Sequence, residues 1–198
     1  MIKVGITGGI GSGKSTFCRT WEELGAFVLY ADDFAKQLMQ KDSSLKNKIK
    51  EVFGNKSYDQ DGKLNRQFLA NEAFKKGRVE ELNNLVHPVL WERTEELADQ
   101  KEEEGCQVFA KEAAILLNNG RPEDLDYVVL VLADEEKRIK RTAERDGSSK
   151  EEIAERIKKQ PNFEKLVHLA DFVIVNDGTL SDLKQKSRDV YQSIIETI

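Results

Sequence analysis

Cysteine is scarce in this chain, with only Cys18 and Cys106 among 198 residues. The pair fits no metal-ligand spacing and excludes a disulfide framework, so both read as packing residues. Only three prolines occur, and the 13 glycines follow no repeat, which excludes collagen-like and low-complexity classes. No run of about 18 apolar residues exists, so no membrane span is expected. The opening residues, MIKVGITGG, lack the basic start and long apolar stretch of a secretory signal. Together with the shortage of cysteine this predicts the reducing cytoplasm. Excess positive charge is missing too: a formal net charge of -5 argues against a general nucleic-acid partner. A local cluster of donors can still hold a small anion.

What is present suits a packed globular chain. The composition is 39% hydrophobic and 34% charged, with both signs mixed. A chain of this length has room for one domain, at most with an inserted subdomain, and buries roughly 70% of its unfolded surface. Neither a disulfide nor a metal is needed for it to fold.

Residues 2–7, IKVGIT, read as a short buried strand, followed by the glycine-rich GGIGSG. KSTFCRTWEELG then places Phe17, Trp21 and Leu24 at helical spacing, with Gly25 as a stop. AFVLYAD is a second strand. Strand, loop, helix, strand within the first 32 residues is a βαβ unit with a right-handed crossover. From Asp33 to about Glu104 the pattern is mainly helical. SYDQDGKL carries an Asp-Gly turn, irregular or a small hairpin. Pro88 inside RVEELNNLVHPVLWERTEELADQKEEE predicts a break or kink at Val86-His87. The α/β rhythm then returns: QVFA, YVVLVLA and ADFVIVNDG are strands, while EAAILLN fits a helical turn or a strand end equally well. DEEKRIKRTAERD is a helix capped by Asp134, KEEIAERIKKQ resumes after Gly147-Ser148-Ser149, and the tail is an amphipathic helix.

Gly8-Gly9-Ile10-Gly11-Ser12-Gly13-Lys14-Ser15 satisfies G-x-x-x-x-G-K-[ST] in full. Glycines let the backbone curl with several N–H groups pointing inward. The helix starting near Lys14 turns its positive end toward the same anion. Lys14 supplies charge for the β- and γ-phosphates, and the Ser15 hydroxyl reaches Mg²⁺. The pattern lies where it must, after a strand and before a helix. Thr7 precedes it and either lines the loop or simply ends the strand. No N-K-x-D base-reading motif accompanies it; Val175-Asn176-Asp177-Gly178 lacks the lysine. A compact chain with a helical insertion and arginine-bearing helices reads as a small-molecule kinase.

The sequence resembles the dephospho-coenzyme A kinase family over nearly its whole length. The likeness runs through ITGGIGSGKS (Ile6 to Ser15), ADDFAK (Ala31 to Lys36), LNRQFL (Leu64 to Leu69) and LVHP (Leu85 to Pro88). It continues in EAAIL (Glu112 to Leu116), RIKRTAERD (Arg138 to Asp146), RIKKQ (Arg156 to Gln160) and ADFVIVNDG (Ala170 to Gly178). The loop alone is generic; LVHP and ADFVIVNDG in this order single out the family.

The resemblance implies a three-layer P-loop fold with a central parallel sheet. It implies one domain, with its core in about 1–32, 106–136 and 168–198, a helical acceptor-binding insertion at about 33–105 and a lid at about 137–167. The implied reaction is ATP-dependent phosphorylation of the ribose 3′-hydroxyl of dephospho-coenzyme A, a small-molecule substrate, with ATP and Mg²⁺ required. Asp32 matches the catalytic aspartate, placed just past the second strand to orient or deprotonate the hydroxyl or to hold Mg²⁺ through water. Lys14 and Arg141 complete the catalytic set. Nucleotide contacts fall to Gly9, Ile10, Gly11, Ser12, Gly13, Lys14, Ser15 and Thr16, joined by Arg145, Asn176 and Gly178. Thr7, Asp32, Arg66, His87, Arg156 and Gln160 face the acceptor, and Ser15 serves the metal. Of Arg138, Arg141, Arg145 and Arg156, family position favours Arg141 for phosphate contact and Arg145 next.

The chain departs from the family's usual residues at Asn118, where an acid is common, and at Tyr30 and Lys36. Two alternatives stand beside this reading: a P-loop kinase acting on another small alcohol or nucleoside, and a nucleotide-binding regulator with weak turnover. Oligomeric state is not legible from the sequence.

Overall fold

The structure is a computed structural model that describes residues 1–197. The chain packs as two units, Met1–Tyr30 with Lys101–Ile198 and Ala31–Gln100.

The first unit is built on five parallel strands: β1 (Ile2–Gly8), β2 (Phe27–Tyr30), β3 (Val108–Glu112), β4 (Tyr127–Leu132) and β5 (Phe172–Val175). Their order in the sheet is β2-β3-β1-β4-β5. The apolar runs of β1 and β4 are buried along most of their length, as strands covered on both faces require. Helix α1 (Lys14–Glu23) and the closing helix α8 (Leu180–Ile195) pack together against the sheet. Val4, Ile6, Val28, Val108, Ala110, Val129 and Val131 meet Phe17, Trp21, Leu183, Val190 and Ile194 in one core. Two buried polar contacts register α1 on α8: Trp21 Nε1 donates to the Ser187 carbonyl (3.0 Å) and Ser187 Oγ donates to the Phe17 carbonyl (2.9 Å). Leu117, Leu125 and Val128 form a separate buried cluster with Leu166 and Leu169 beside it. β3 runs on to Glu112, and Ala114 to Asn119 follow as turns, which settles the ambiguous EAAILLN segment.

Two helices follow β4, α6 (Glu135–Asp146) and α7 (Lys150–Lys158). Asp134 caps the first, Gly147 ends it in the left-handed conformation, and a reciprocal Ser149–Glu152 capping box starts the second. The Gly-Ser-Ser break therefore separates two properly capped helices.

The second unit contains α2 (Ala31–Lys41), α3 (Ser43–Phe53), α4 (Arg66–Ala70) and most of α5 (Val79–Glu103). Leu38, Leu45, Ile49, Phe53, Tyr58, Leu69, Val86 and Val89 are its buried core. Asp42 caps α3 through the Leu45 amide (2.9 Å) and pairs with Arg93 of α5 (3.1 Å). The Asp-Gly turn closes a short loop, bridged antiparallel at Tyr58 and Leu64. One π-helical turn, Asn71–Lys75, follows α4.

Of the break or kink expected at Val86-His87, the break does not occur: Pro88 lies inside α5, which runs as one helix from Val79 to Glu103. Proline removes one N–H bond, but Val86 and Val89 on either side are both buried. Their packing favours helix on both sides of the proline.

Candidate active site

The connections out of β1 and β3 leave the sheet in opposite directions, β1 leading to β2 and β3 to β4. The crevice between such neighbours, at their carboxyl ends, is where open α/β sheets bind ligands. The glycine loop leaves β1 at this point and Glu112 ends β3 beside it. Lys14 Nζ lies 3.7 Å from Glu112 Oε1, both side chains being nearly buried. The same ammonium donates to the Gly8 carbonyl (2.8 Å) and the Gly9 carbonyl (3.3 Å). Sequence pattern alone does not single out Glu112 as a site residue.

Close approach dictates Gly8, and backbone conformation dictates Gly13. A Cβ on Gly8 would overlap the Val131 carbonyl oxygen. Gly13 has φ 105° and begins α1 without a side-chain cap, so no side chain of the cap residue stands between the helix start and an anion. Asn176 Nδ2, just past β5, donates to the Ser12 carbonyl (2.8 Å) and is itself buried. It braces the loop from a position that the resemblance gives to nucleotide binding. Gly178, two residues on, packs against Asp182, whose carboxylate accepts from the Thr179 N–H in the capping box that starts α8.

The α6–α7 pair sorts its arginines. Arg138 Nε donates to the Ile10 carbonyl (2.9 Å) and Nη2 to Gln160 Oε1 (3.3 Å); the Ile10 amide donates to that same oxygen (2.8 Å). Burial lowers the Arg138 pKa from its usual value, with Glu135 and Glu164 opposing that shift. Arg141 presents a buried Nη1 with no hydrogen-bond partner, as do the hydroxyls of Thr7, Ser12 and Thr142. Buried polar atoms left unpaired in this way mark places where a ligand or water completes the bonding.

Arg145 and Arg156 are elsewhere. Both bind Asp146, Arg145 through two bonds of 2.6 and 3.1 Å and Arg156 through one of 3.2 Å. Asp146 is thereby held down to a pKa of about 2, chiefly by the bond from Arg145. A cavity of about 650 Å³ opens beside the loop, lined by Gly9, Ser12, Leu132, Arg138, Gln160, Phe163 and Asp177 among others.

In the second unit, Asp32 and Asp33 share the first turn of α2. Asp33 is tied to Lys36 (2.6 Å); Asp32 is exposed in the same turn. Arg66, the first residue of α4, and His87 on α5 are exposed as well.

Among the described residues no group of three or more His, Cys, Asp or Glu could cage a metal. Mg²⁺ needs no such cage, since it keeps several waters and leans on one or two protein groups plus phosphate oxygens. Ser15, exposed in the first turn of α1, and the Glu112 carboxylate near Lys14 are the donors that fit it.

A glycine loop at the switch point of a β2-β3-β1-β4-β5 parallel sheet, feeding a capless helix start, makes this a P-loop nucleotide-binding protein of the kinase fold. A family model described as dephospho-CoA kinase matches residues 2–182. A Salinibacter ruber protein named dephospho-CoA kinase is 42% identical over 195 residues, covering 98% of each chain. Of solved structures, the Thermus thermophilus protein TT1252 has a TM-score of 0.78 and 30% identity, covering 97% of each chain. The dephospho-CoA kinase of Campylobacter jejuni has a TM-score of 0.72 and 27% identity over 97% of this chain and 96% of its own. The chain belongs to the dephospho-CoA kinase family.

Proposed function

We propose that the protein transfers the γ-phosphoryl group of ATP to the ribose 3′-hydroxyl of dephospho-coenzyme A, giving coenzyme A and ADP. The observation that carries this reading is the intact phosphate loop within a chain that matches the family over residues 2–182. Phosphoryl transfer asks little covalent chemistry of the protein; positioning and charge stabilisation dominate.

The loop amides and the start of α1 grip the phosphates. Lys14 gives up its carbonyl partners for phosphate oxygens and stays next to Glu112, whose charge is opposite to its own. Arg141 brings the unpaired Nη1 that a phosphate oxygen can satisfy. Ser15, with Glu112 nearby, would hold Mg²⁺, whose charge would offset that of the phosphates. Asp32 accepts the 3′-hydroxyl proton as its oxygen forms the new P–O bond and the bond to ADP breaks. Asp33 is already engaged by Lys36. Arg66 and His87 contact the acceptor. Arg145 and Arg156 act on ligand only after leaving Asp146.

The test is product analysis after incubation with ATP, Mg²⁺ and dephospho-coenzyme A, beside a panel of nucleosides and shikimate-like alcohols. The reading expects coenzyme A as the preferred product. Preferential phosphorylation of a nucleoside would refute the acceptor assignment.

A further inference from the structure

Ile10 is held at both ends of its residue. Its N–H donates to Gln160 Oε1 (2.8 Å), and its carbonyl accepts from Arg138 Nε (2.9 Å). Arg138 Nη2 closes the ring by donating to the same Gln160 oxygen (3.3 Å). Both groups that meet Gln160 are donors, so its oxygen must face them. Gln160 is anchored in turn, because its backbone N–H donates to the Ile157 carbonyl at the end of α7 (2.9 Å).

Two loop glycines serve this contact. A Cβ on Gly9 would overlap the Arg138 guanidinium, and one on Gly11 would overlap the Arg138 carbonyl and Thr142 Oγ1. The glycines at 9 and 11 thus let α6 sit directly on the loop.

The consequence follows from peptide planarity. In a trans peptide the C=O and the next N–H point in opposite directions within one plane, and this chain has no cis bond among the described residues. Fixing the Ile10 carbonyl on Arg138 therefore fixes the direction of the Gly11 N–H, away from α6. Fixing the Ile10 N–H on Gln160 likewise turns the Gly9 carbonyl the other way, where Lys14 Nζ and the Ser12 amide meet it. An amide spent on Gln160 is not a phosphate donor, so Ile10 orients its neighbours and binds no anion itself.

We propose that Arg138 and Gln160 are positioning residues: a two-residue clamp from the α6–α7 pair that sets the peptide planes on either side of Ile10 and so aims the Gly11 amide and Lys14 for the phosphates. This role differs from the acceptor contact that the resemblance implies for Gln160. It rests on the reading of the loop as the triphosphate site.

The experiment uses the full chain with Gln160→Leu, Gln160→Glu, Arg138→Met and the double variant Arg138→Met/Gln160→Leu. ATP affinity is measured by calorimetry, and KM for ATP and for dephospho-coenzyme A by steady-state assay. Gln160→Leu is expected to weaken ATP binding about 5- to 30-fold, the loss of one or two hydrogen bonds, and to leave the acceptor KM within about twofold. Gln160→Glu keeps the oxygen both donors use and is expected to restore ATP affinity to within about threefold. Because the two residues form one clamp, the double variant should be no weaker than the worse single variant by more than about twofold. A rise in acceptor KM with unchanged ATP affinity, failure of Gln160→Glu to restore binding, or fully additive losses would each overturn the clamp. If the wild-type chain turned over no dephospho-coenzyme A, the proposed function would fall, while the ATP affinities would still decide this point.

Discussion

In the sheet unit the proposed phosphate site joins backbone amides of the loop to side chains held by other contacts; in the helical unit the proposed acceptor groups are side chains standing exposed on α2, α4 and α5. The loop amides before α1 are directed by glycine conformation and braced by Lys14, Asn176, Arg138 and Gln160. Asp32, Arg66 and His87 have no such brace and are exposed. A backbone site must be rigid before ligand arrives, because its donors cannot rotate singly. A side-chain site can be completed by the ligand itself. The proposed function places the donor on the loop of the first unit and the attacking hydroxyl at Asp32 of the second.

The largest effect expected is at Lys14. Lys14→Ala should lower kcat/KM by about 1,000-fold or more and weaken ATP binding as well, since its charge serves both ground state and transition state. Steady-state kinetics with calorimetry checks this; a loss confined to acceptor affinity would break the division between units.

Core truncations sharpen the same comparison. Trp21→Ala should cost about 3–5 kcal/mol and Leu45→Ala about 2–5 kcal/mol, read from denaturant unfolding. Trp21 lies on α1, so its removal should also weaken ATP binding, whereas Leu45→Ala should leave ATP affinity intact at temperatures where the chain is folded. A smaller loss, about 1–2 kcal/mol, is expected for Asp42→Ala, which deprives α3 of its cap, again with ATP affinity retained.

The smallest effect concerns Asp146. Its folded pKa, about 2, lies below the ordinary 3.8. The ion pairs with Arg145 and Arg156 therefore stabilise the fold fully above about pH 5, and that contribution is lost as pH falls toward 2. Acid titration followed by circular dichroism should show Asp146→Asn removing part of the wild-type decline below pH 4 and changing little near neutrality.

These contrasts also explain what could be read from the residues in order. The loop, β1 and β4 were legible because glycine spacing and continuous apolar runs have local causes. Glu112 was not, because its meeting with Lys14 depends on β3 lying beside β1, a fact of strand order. The arginines of α6 recur at helical spacing, and phase alone could not say which face meets the loop; α6 turns Arg138 to Ile10 and leaves Arg145 on its neighbour Asp146. The break expected at Pro88 does not occur, because the buried Val86 and Val89 favour helix on both sides of it.

The central claim, that the loop holds the donor while Asp32 activates the acceptor, is tested most directly by Asp32→Asn, with ATP affinity and transfer rate measured on one preparation. The account predicts ATP binding within about twofold of wild type and a transfer rate lower by about 100- to 10,000-fold. Parallel loss of both, or a rate left near wild type, would contradict it.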